Sequence, residues 1–130
     1  MLDSDLIDAV YIGLPNHLHA EWTIKALEAG LSVLCEKPFT VNAAEARDVV
    51  ATATRTGRLV AEAFMYRFHP QWTKARQLLA AGAIGAVKTV QSFYSYNNLD
   101  PANIRNRTET GGGGLMDIGC YCISLSRFLF

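Results

Sequence analysis

The sequence carries no surplus of charge: twelve Lys and Arg stand against twelve Asp and Glu, a formal net charge of zero. A protein that grips nucleic acid by neutralising phosphates carries a basic excess, so that class of partner is disfavoured. Long apolar runs are also missing. The longest, residues 118–130, falls short of the roughly 20 residues that span a bilayer, and it contains Arg127. Cysteine is too scarce for a disulfide framework. Cys35, Cys120 and Cys122 cannot all pair within one chain, and each sits in an apolar run, which fits buried thiols in a reducing compartment. The start, MLDSDLID, is acidic where a secretory signal is basic and then apolar. A cytoplasmic location is expected, with no membrane or nucleic-acid partner. Metal-ligand spacings are absent as well. His17, His19 and His69 fall in no His-Glu-x-x-His pattern, there is no Cys-x-x-Cys, and Cys120-x-Cys122 on a helix would point to different faces, so no metal site is expected.

What is present is apolar. Hydrophobic residues make up 50% of the 130 and charged residues 18%, a composition that fills a core and argues against disorder. Residues 9–14 run apolar without alternation, as in a strand covered on both faces of a parallel sheet. Pro15 stops the run. Asn16 is placed to cap a helix over 17–29 that ends at Gly30. Residues 31–35 are a second short apolar run. Asn42, with Glu45 three residues on, opens another helix in a capping-box pattern; Ala46, Val49, Val50 and Ala53 mark its apolar face, and Gly57 ends it. Residues 59–64 are a third apolar run, and Pro70 opens a third helix through 81. This alternation predicts an α/β fold, a parallel sheet with right-handed crossovers. Past residues 82–85 the rhythm changes. Residues 86–96, rich in β-branched and aromatic side chains, predict a long strand. A polar loop over 97–110, four glycines and a helix over 115–130 follow. A domain boundary is expected close to residue 85. Both ends look cut, since the chain starts almost directly in a buried strand and stops on Phe128-Leu129-Phe130 with no cap or polar tail.

In an open parallel sheet, ligands bind beyond the carboxyl ends of the strands. Three polar segments fall there: residues 15–19, Glu36-Lys37-Pro38, and residues 65–70. Each alone reads as a solvated turn; together at one edge they point to a site. Lys37 is either a surface turn residue or an ammonium aimed into the crevice, where it would attract an oxyanion and favour ionisation of a nearby phenol. Asp117 and Tyr121 are four apart and share one helix face. They are either an aspartate favoured by the helix dipole with a core tyrosine one turn on, or a carboxylate beside a phenolic proton donor. The glycines at 111–114 let backbone approach a ligand closely. They are no P-loop, because no Gly-Lys-Ser/Thr follows.

The segments Asp8-Ala-Val-Tyr-Ile-Gly-Leu-Pro-Asn-His-Leu-His19, Glu36-Lys37-Pro38 and Gly112-Gly-Gly-Leu-Met-Asp-Ile-Gly119-x-Tyr121 resemble, in order, the motifs of the Gfo/Idh/MocA family of NAD(P)-dependent oxidoreductases. The match spans nearly the whole chain. Tyr121, where many members carry histidine, is similar to the branch with glucose–fructose oxidoreductase, dimeric dihydrodiol dehydrogenase and xylose dehydrogenase. The resemblance implies the C-terminal half of a Rossmann-type sheet over 1–85 and the start of a second, α+β, substrate and dimerisation domain over 86–130. It implies NADP or NAD as cofactor, a sugar or cyclic diol as small-molecule substrate, and a homo-oligomer at full length. It implies catalytic roles for Lys37, Asp117 and Tyr121. Lys37 would lower the pKa of Tyr121, the proton-transfer group, and Asp117 would orient a sugar hydroxyl. Leu14, Pro15, Asn16, His19, Glu36 and Lys37 would line the nicotinamide side, with Arg67 near nicotinamide or substrate. The Lys37–Pro38 bond would be cis. The family's Gly-x-Gly-x-x-Gly segment is missing from this sequence. The alternative is a non-catalytic truncated product that needs a partner chain to complete its sheet.

Overall fold

A computed structural model describes Leu2 and residues 6–130; Met1, Asp3, Ser4 and Asp5, part of the acidic start, lie outside the described residues. Three parallel strands, β1 (Ala9–Ile12), β2 (Ser32–Cys35) and β3 (Val60–Glu62), form one sheet in the order β1-β2-β3. Helix α1 (His19–Glu28) joins the first two and α2 (Ala43–Thr56) the second two. The fold is therefore the expected α/β alternation of a Rossmann-like sheet. Parallel pairing sends every strand end to the same edge, and the polar turns gather there.

The register pairs Ile12 with Cys35 and Cys35 with Glu62, while Tyr11 faces Leu34 and Leu34 faces Ala61. Successive side chains point to opposite faces, so these rows belong to different faces. Ile12 and Cys35 are buried with Val33, Leu27, Ala26, Val49 and Ala53 from β2 and the two helices. The other row is open: Tyr11 is 61% and Leu34 44% exposed. The expectation of strands covered on both faces is corrected, because α1 and α2 supply apolar side chains to one face alone. On α2, Val49 and Ala53 enter the core as expected but Val50 is exposed, turned to solvent by the 100° step of the helix.

Capping follows the sequence at α2 and departs from it at α1. The Asn42 side chain accepts from the Glu45 backbone N–H at 2.9 Å, Glu45 accepts from the Val41 N–H at 3.2 Å, and Gly57 closes the helix at φ 66°. Asn16 caps nothing. Residues Asn16–Leu18 form a 3₁₀ turn before α1, and the Asn16 amide donates instead to the carbonyl of Gly111 at 2.8 Å.

Helix α3 (Pro70–Ala80) starts at its proline. The strand expected over 86–96 does not form: no ladder bond reaches this segment among the described residues. Its composition suits a pleated sheet, but β-propensity expresses itself only against a neighbouring strand, and none pairs with it here. The chain then loops to a π-helical turn, Leu115–Gly119, that runs straight into α4 (Cys120–Leu129). Cys35 is buried and the other two thiols are half-buried; all three are free. No described helix is long and apolar enough to cross a membrane.

Candidate active site

The strand-end edge opens into a cavity of about 920 Å³. On one side it is walled by Gly13, Leu14, Asn16, His19, Glu36 and Lys37, and on the other by Tyr94, Tyr96, Arg105, Asp117 and Tyr121. Its walls come from both sides of residue 85. Lys37, Asp117 and Tyr121, expected from motifs some 80 residues apart, do meet.

The Lys37 ammonium lies 3.3 Å from Asp117 Oδ1 and also donates to the Asp117 backbone carbonyl. Asp117 sits on the π-helical turn, a widened geometry that recurs at functional sites. It is 8% exposed. Its carboxylate accepts from Tyr96 Oη on Oδ2, and Arg105 Nε forms an ion pair with Oδ1 at 3.2 Å. Burial alone would raise its pKa. The hydrogen bonds from Tyr96 and Lys37 and the charges of Lys37 and Arg105 outweigh burial and hold it below the ordinary carboxylate value.

Tyr121 is enclosed by aromatic rings: Phe64 at 5.2 Å, Tyr94 at 5.9 Å and Tyr66 at 6.1 Å between centroids. Lys37 Nζ stands over its ring face, 5.1 Å from the centroid. The expectation that Lys37 lowers the pKa of this phenol is corrected. Burial and then the charge of Glu36 push Tyr121 above its ordinary value.

On the other wall, Glu36 is fixed by the Tyr11 hydroxyl at 2.8 Å and accepts from the Lys37 backbone N–H at 3.1 Å. The Lys37–Pro38 peptide is cis, as expected. His19 is fully buried, its Nδ1 2.8 Å from the Pro38 carbonyl and its Nε2 2.7 Å from the Leu14 carbonyl. Both ring nitrogens are engaged with backbone, so the ring ties the β1 and β2 turns together beneath the cavity. Pro15 and Arg67 do not line it. Pro15 precedes the 3₁₀ turn, and Arg67 lies over the Phe128 ring at 5.6 Å, in a second cavity with Arg76 and Phe128. An apolar ring offers the guanidinium a cation–π partner on that side, so Arg67 is not brought to the site.

The glycine run divides in two. Its first half packs against the rest of the chain: a Cβ on Gly112 would lie 2.6 Å from the Ile104 carbonyl oxygen, and one on Gly111 2.6 Å from Val41 Cγ1, while Gly113 and Gly114 are exposed with open space beside them. Sequence reasoning missed Tyr94, Tyr96, Asn98 and Arg105. A signal existed for three of them: residues 94, 96 and 98 follow the two-residue period that puts side chains on one side of an extended chain, and all three line the cavity.

Among the described residues no group of three or more His, Cys, Asp or Glu is arranged to hold a metal ion. The residues present suit the nicotinamide and ribose half of a dinucleotide: exposed Gly13, the Leu14 turn and the anchored Glu36 at parallel strand ends.

Residues 1–64 match the oxidoreductase family with an NAD-binding Rossmann fold, and residues 72–130 match the GFO/IDH/MocA C-terminal domain. The chain is 46% identical over 128 residues to D-xylose 1-dehydrogenase (NADP(+)) 2 of Haloferax volcanii, covering 98% of this chain and 39% of that protein. It is 36% identical over 124 residues to trans-1,2-dihydrobenzene-1,2-diol dehydrogenase of Xenopus tropicalis, covering 95% and 37%. Among solved structures, a 3-ketoreductase from Actinomadura kijaniata in complex with NADP and TDP-benzene superposes with a TM-score of 0.82 at 39% identity, covering 98% of this chain and 40% of that one. The chain belongs to the Gfo/Idh/MocA oxidoreductase family. It spans about two fifths of the length of the curated relatives it matches.

Proposed function

We propose that this chain carries the proton-transfer half of an NADP- or NAD-dependent dehydrogenase acting on a secondary alcohol of a sugar or cyclic diol. The observation that carries the reading is the meeting of the Lys37 ammonium, Asp117 and the Tyr121 phenol at the carboxyl edge of a parallel sheet. When bound, the nicotinamide supplies the hydride acceptor or donor. Leu14, Asn16 and Glu36 would hold its nicotinamide side. The division near residue 85 belongs to the same proposal, with one segment facing cofactor and the other substrate.

In the oxidative direction the carbinol C–H electron pair leaves with the hydride, and the hydroxyl proton passes to Tyr121 Oη. In reduction the neutral phenol returns it to the carbonyl oxygen. Lys37 offers positive charge to that oxygen while negative charge builds on it. A phenol held above its ordinary pKa is protonated at neutral pH, so the resting site is set for reduction, and oxidation should quicken as the pH rises toward the phenol's value.

The test is Tyr121→Phe with NADP⁺ and a panel of aldoses and cyclic diols. The variant should lose about 10²–10⁴-fold in kcat. Turnover near wild type would remove the phenol from the mechanism.

A further inference from the structure

We infer that Tyr96 and Arg105 are positioning residues of this site, holding the Asp117 carboxylate as the fixed partner of the Lys37 ammonium rather than as a ligand of the substrate hydroxyl. The inference rests on the proposed roles of Lys37 and Tyr121 as the groups that meet the substrate oxygen.

A carboxylate offers about four lone-pair sites. Two are taken on Asp117 by hydrogen bonds, Oδ1 by Lys37 at 3.3 Å and Oδ2 by the Tyr96 hydroxyl, and Arg105 Nε stands 3.2 Å from Oδ1 as a second ion-pair partner. The side chain is 11% exposed, which leaves little room for a substrate oxygen beside those donors. Lys37 also bonds the Asp117 backbone carbonyl, so its ammonium is held by the same residue twice.

Both positioning groups come from the segment that closes the far wall, and that segment is braced. The Asn106 amide donates to the carbonyls of Asn98 at 3.1 Å and Asp100 at 2.8 Å. The Thr110 hydroxyl shares its one proton between the carbonyls of Ile104 at 2.5 Å and Arg107 at 2.8 Å. The backbone N–H groups of Gly113 and Gly112 donate to the carbonyls of Arg105 at 2.8 Å and Arg107 at 3.0 Å. The glycine run thus ties Arg105 directly to the turn that carries Asp117. A side chain at 112 would strike the carbonyls at 104, 105 and 107 and break that tie. Arg105 is half exposed, its side chain reaching inward to Asp117 from a loop built to present it.

Acetylation of Lys37 by acetic anhydride, quantified by peptide mass spectrometry on the native protein, reads the grip on the ammonium without any turnover. Asp117→Asn should raise Lys37 labelling about tenfold, and Tyr96→Phe and Arg105→Gln about threefold each. Exposed Lys74 and Lys88 serve as internal references. Lys37 labelling unchanged in Tyr96→Phe and Arg105→Gln would overturn the inference, and so would an unchanged rate in Asp117→Asn. Kinetics with NADP⁺ and D-xylose add a second arm. Tyr96→Phe and Arg105→Gln should lower kcat while leaving the sugar KM within about twofold of wild type. A raised KM at unchanged kcat would put Asp117 on the substrate and overturn the inference. If the wild-type protein oxidises no sugar or diol, the proposed function fails, while the labelling comparison still decides the positioning.

Discussion

The two parts of the chain are held together by different forces. From β1 to Phe64 there is an apolar core of Ile12, Ala26, Leu27, Val33, Cys35, Val49 and their neighbours. After Phe64 the one buried residue among those described is Asp117, a charged group. The first part is set by hydrophobic burial, which is strong and indifferent to direction. The second reaches the first through the Lys37–Asp117 pair, the Asn16–Gly111 bond and a ring of aromatic edges around Tyr121. Directional polar contacts define an orientation that packing alone leaves loose. The lesson is that site geometry here depends on a few named polar ties, while stability depends on the sheet and its helices.

Five substitutions separate these roles. Lys37→Met strikes both: it removes the cation facing the substrate oxygen and one partner of a buried carboxylate. Its kcat should fall about 10²–10³-fold, and steady-state kinetics check it; a change confined to cofactor affinity would make Lys37 a binding residue. Leu27→Ala in the core should cost about 2–5 kcal/mol of stability, read by urea unfolding. Leu115→Ala, at an exposed position of the second part, should stay within about 0.5 kcal/mol. An equal loss at both would erase the contrast.

Gly111→Ala tests the tie between the parts. Its φ is +74°, and a Cβ would lie 2.6 Å from Val41 Cγ1 and 3.0 Å from Asn16 Cβ. A cost of about 1–3 kcal/mol is expected, and faster hydrogen exchange should concentrate over residues 98–121, leaving α1 and β2 protected. The smallest effect concerns Glu62, at the end of β3, whose carboxylate accepts the Phe39 N–H at 2.8 Å. Burial pushes its pKa up, and the Phe39 hydrogen bond with the charges of Arg67 and His19 only partly offsets this. A raised carboxyl binds protons more readily folded than unfolded. Stability therefore declines as pH rises from 4.5 through the folded value. Glu62→Gln keeps an acceptor for Phe39 and should remove that decline, gaining under about 1 kcal/mol at neutral pH in thermal melts. A loss of stability would mean the charge itself is needed.

Much of the first part was legible in the sequence because its signals are short-range. Asn42 and Glu45 are three residues apart, and the cap they predict forms. Pro70 opens its helix as expected. The strand expected over 86–96 failed because pairing is not a local property: among the described residues no strand pairs with this segment. Asn16 reads as a helix cap, yet its amide prefers a carbonyl 95 residues away. Arg67 reads as a site residue, yet an aromatic ring on α4 draws it off.

The sequence by itself determined the strand–helix rhythm, the three turns at one sheet edge, and the candidacy of Lys37, Asp117 and Tyr121. Each follows from periodicity, capping or motif spacing within a few residues. Only the tertiary structure decided that Asp117 is encircled by Lys37, Arg105 and Tyr96, and that the Tyr121 phenol is raised rather than lowered. It alone showed Gly112 packing on the carbonyls of its own loop and one sheet face left open. These outcomes depend on where distant segments return to the sheet edge, and on how burial and charge balance there, which no local pattern encodes.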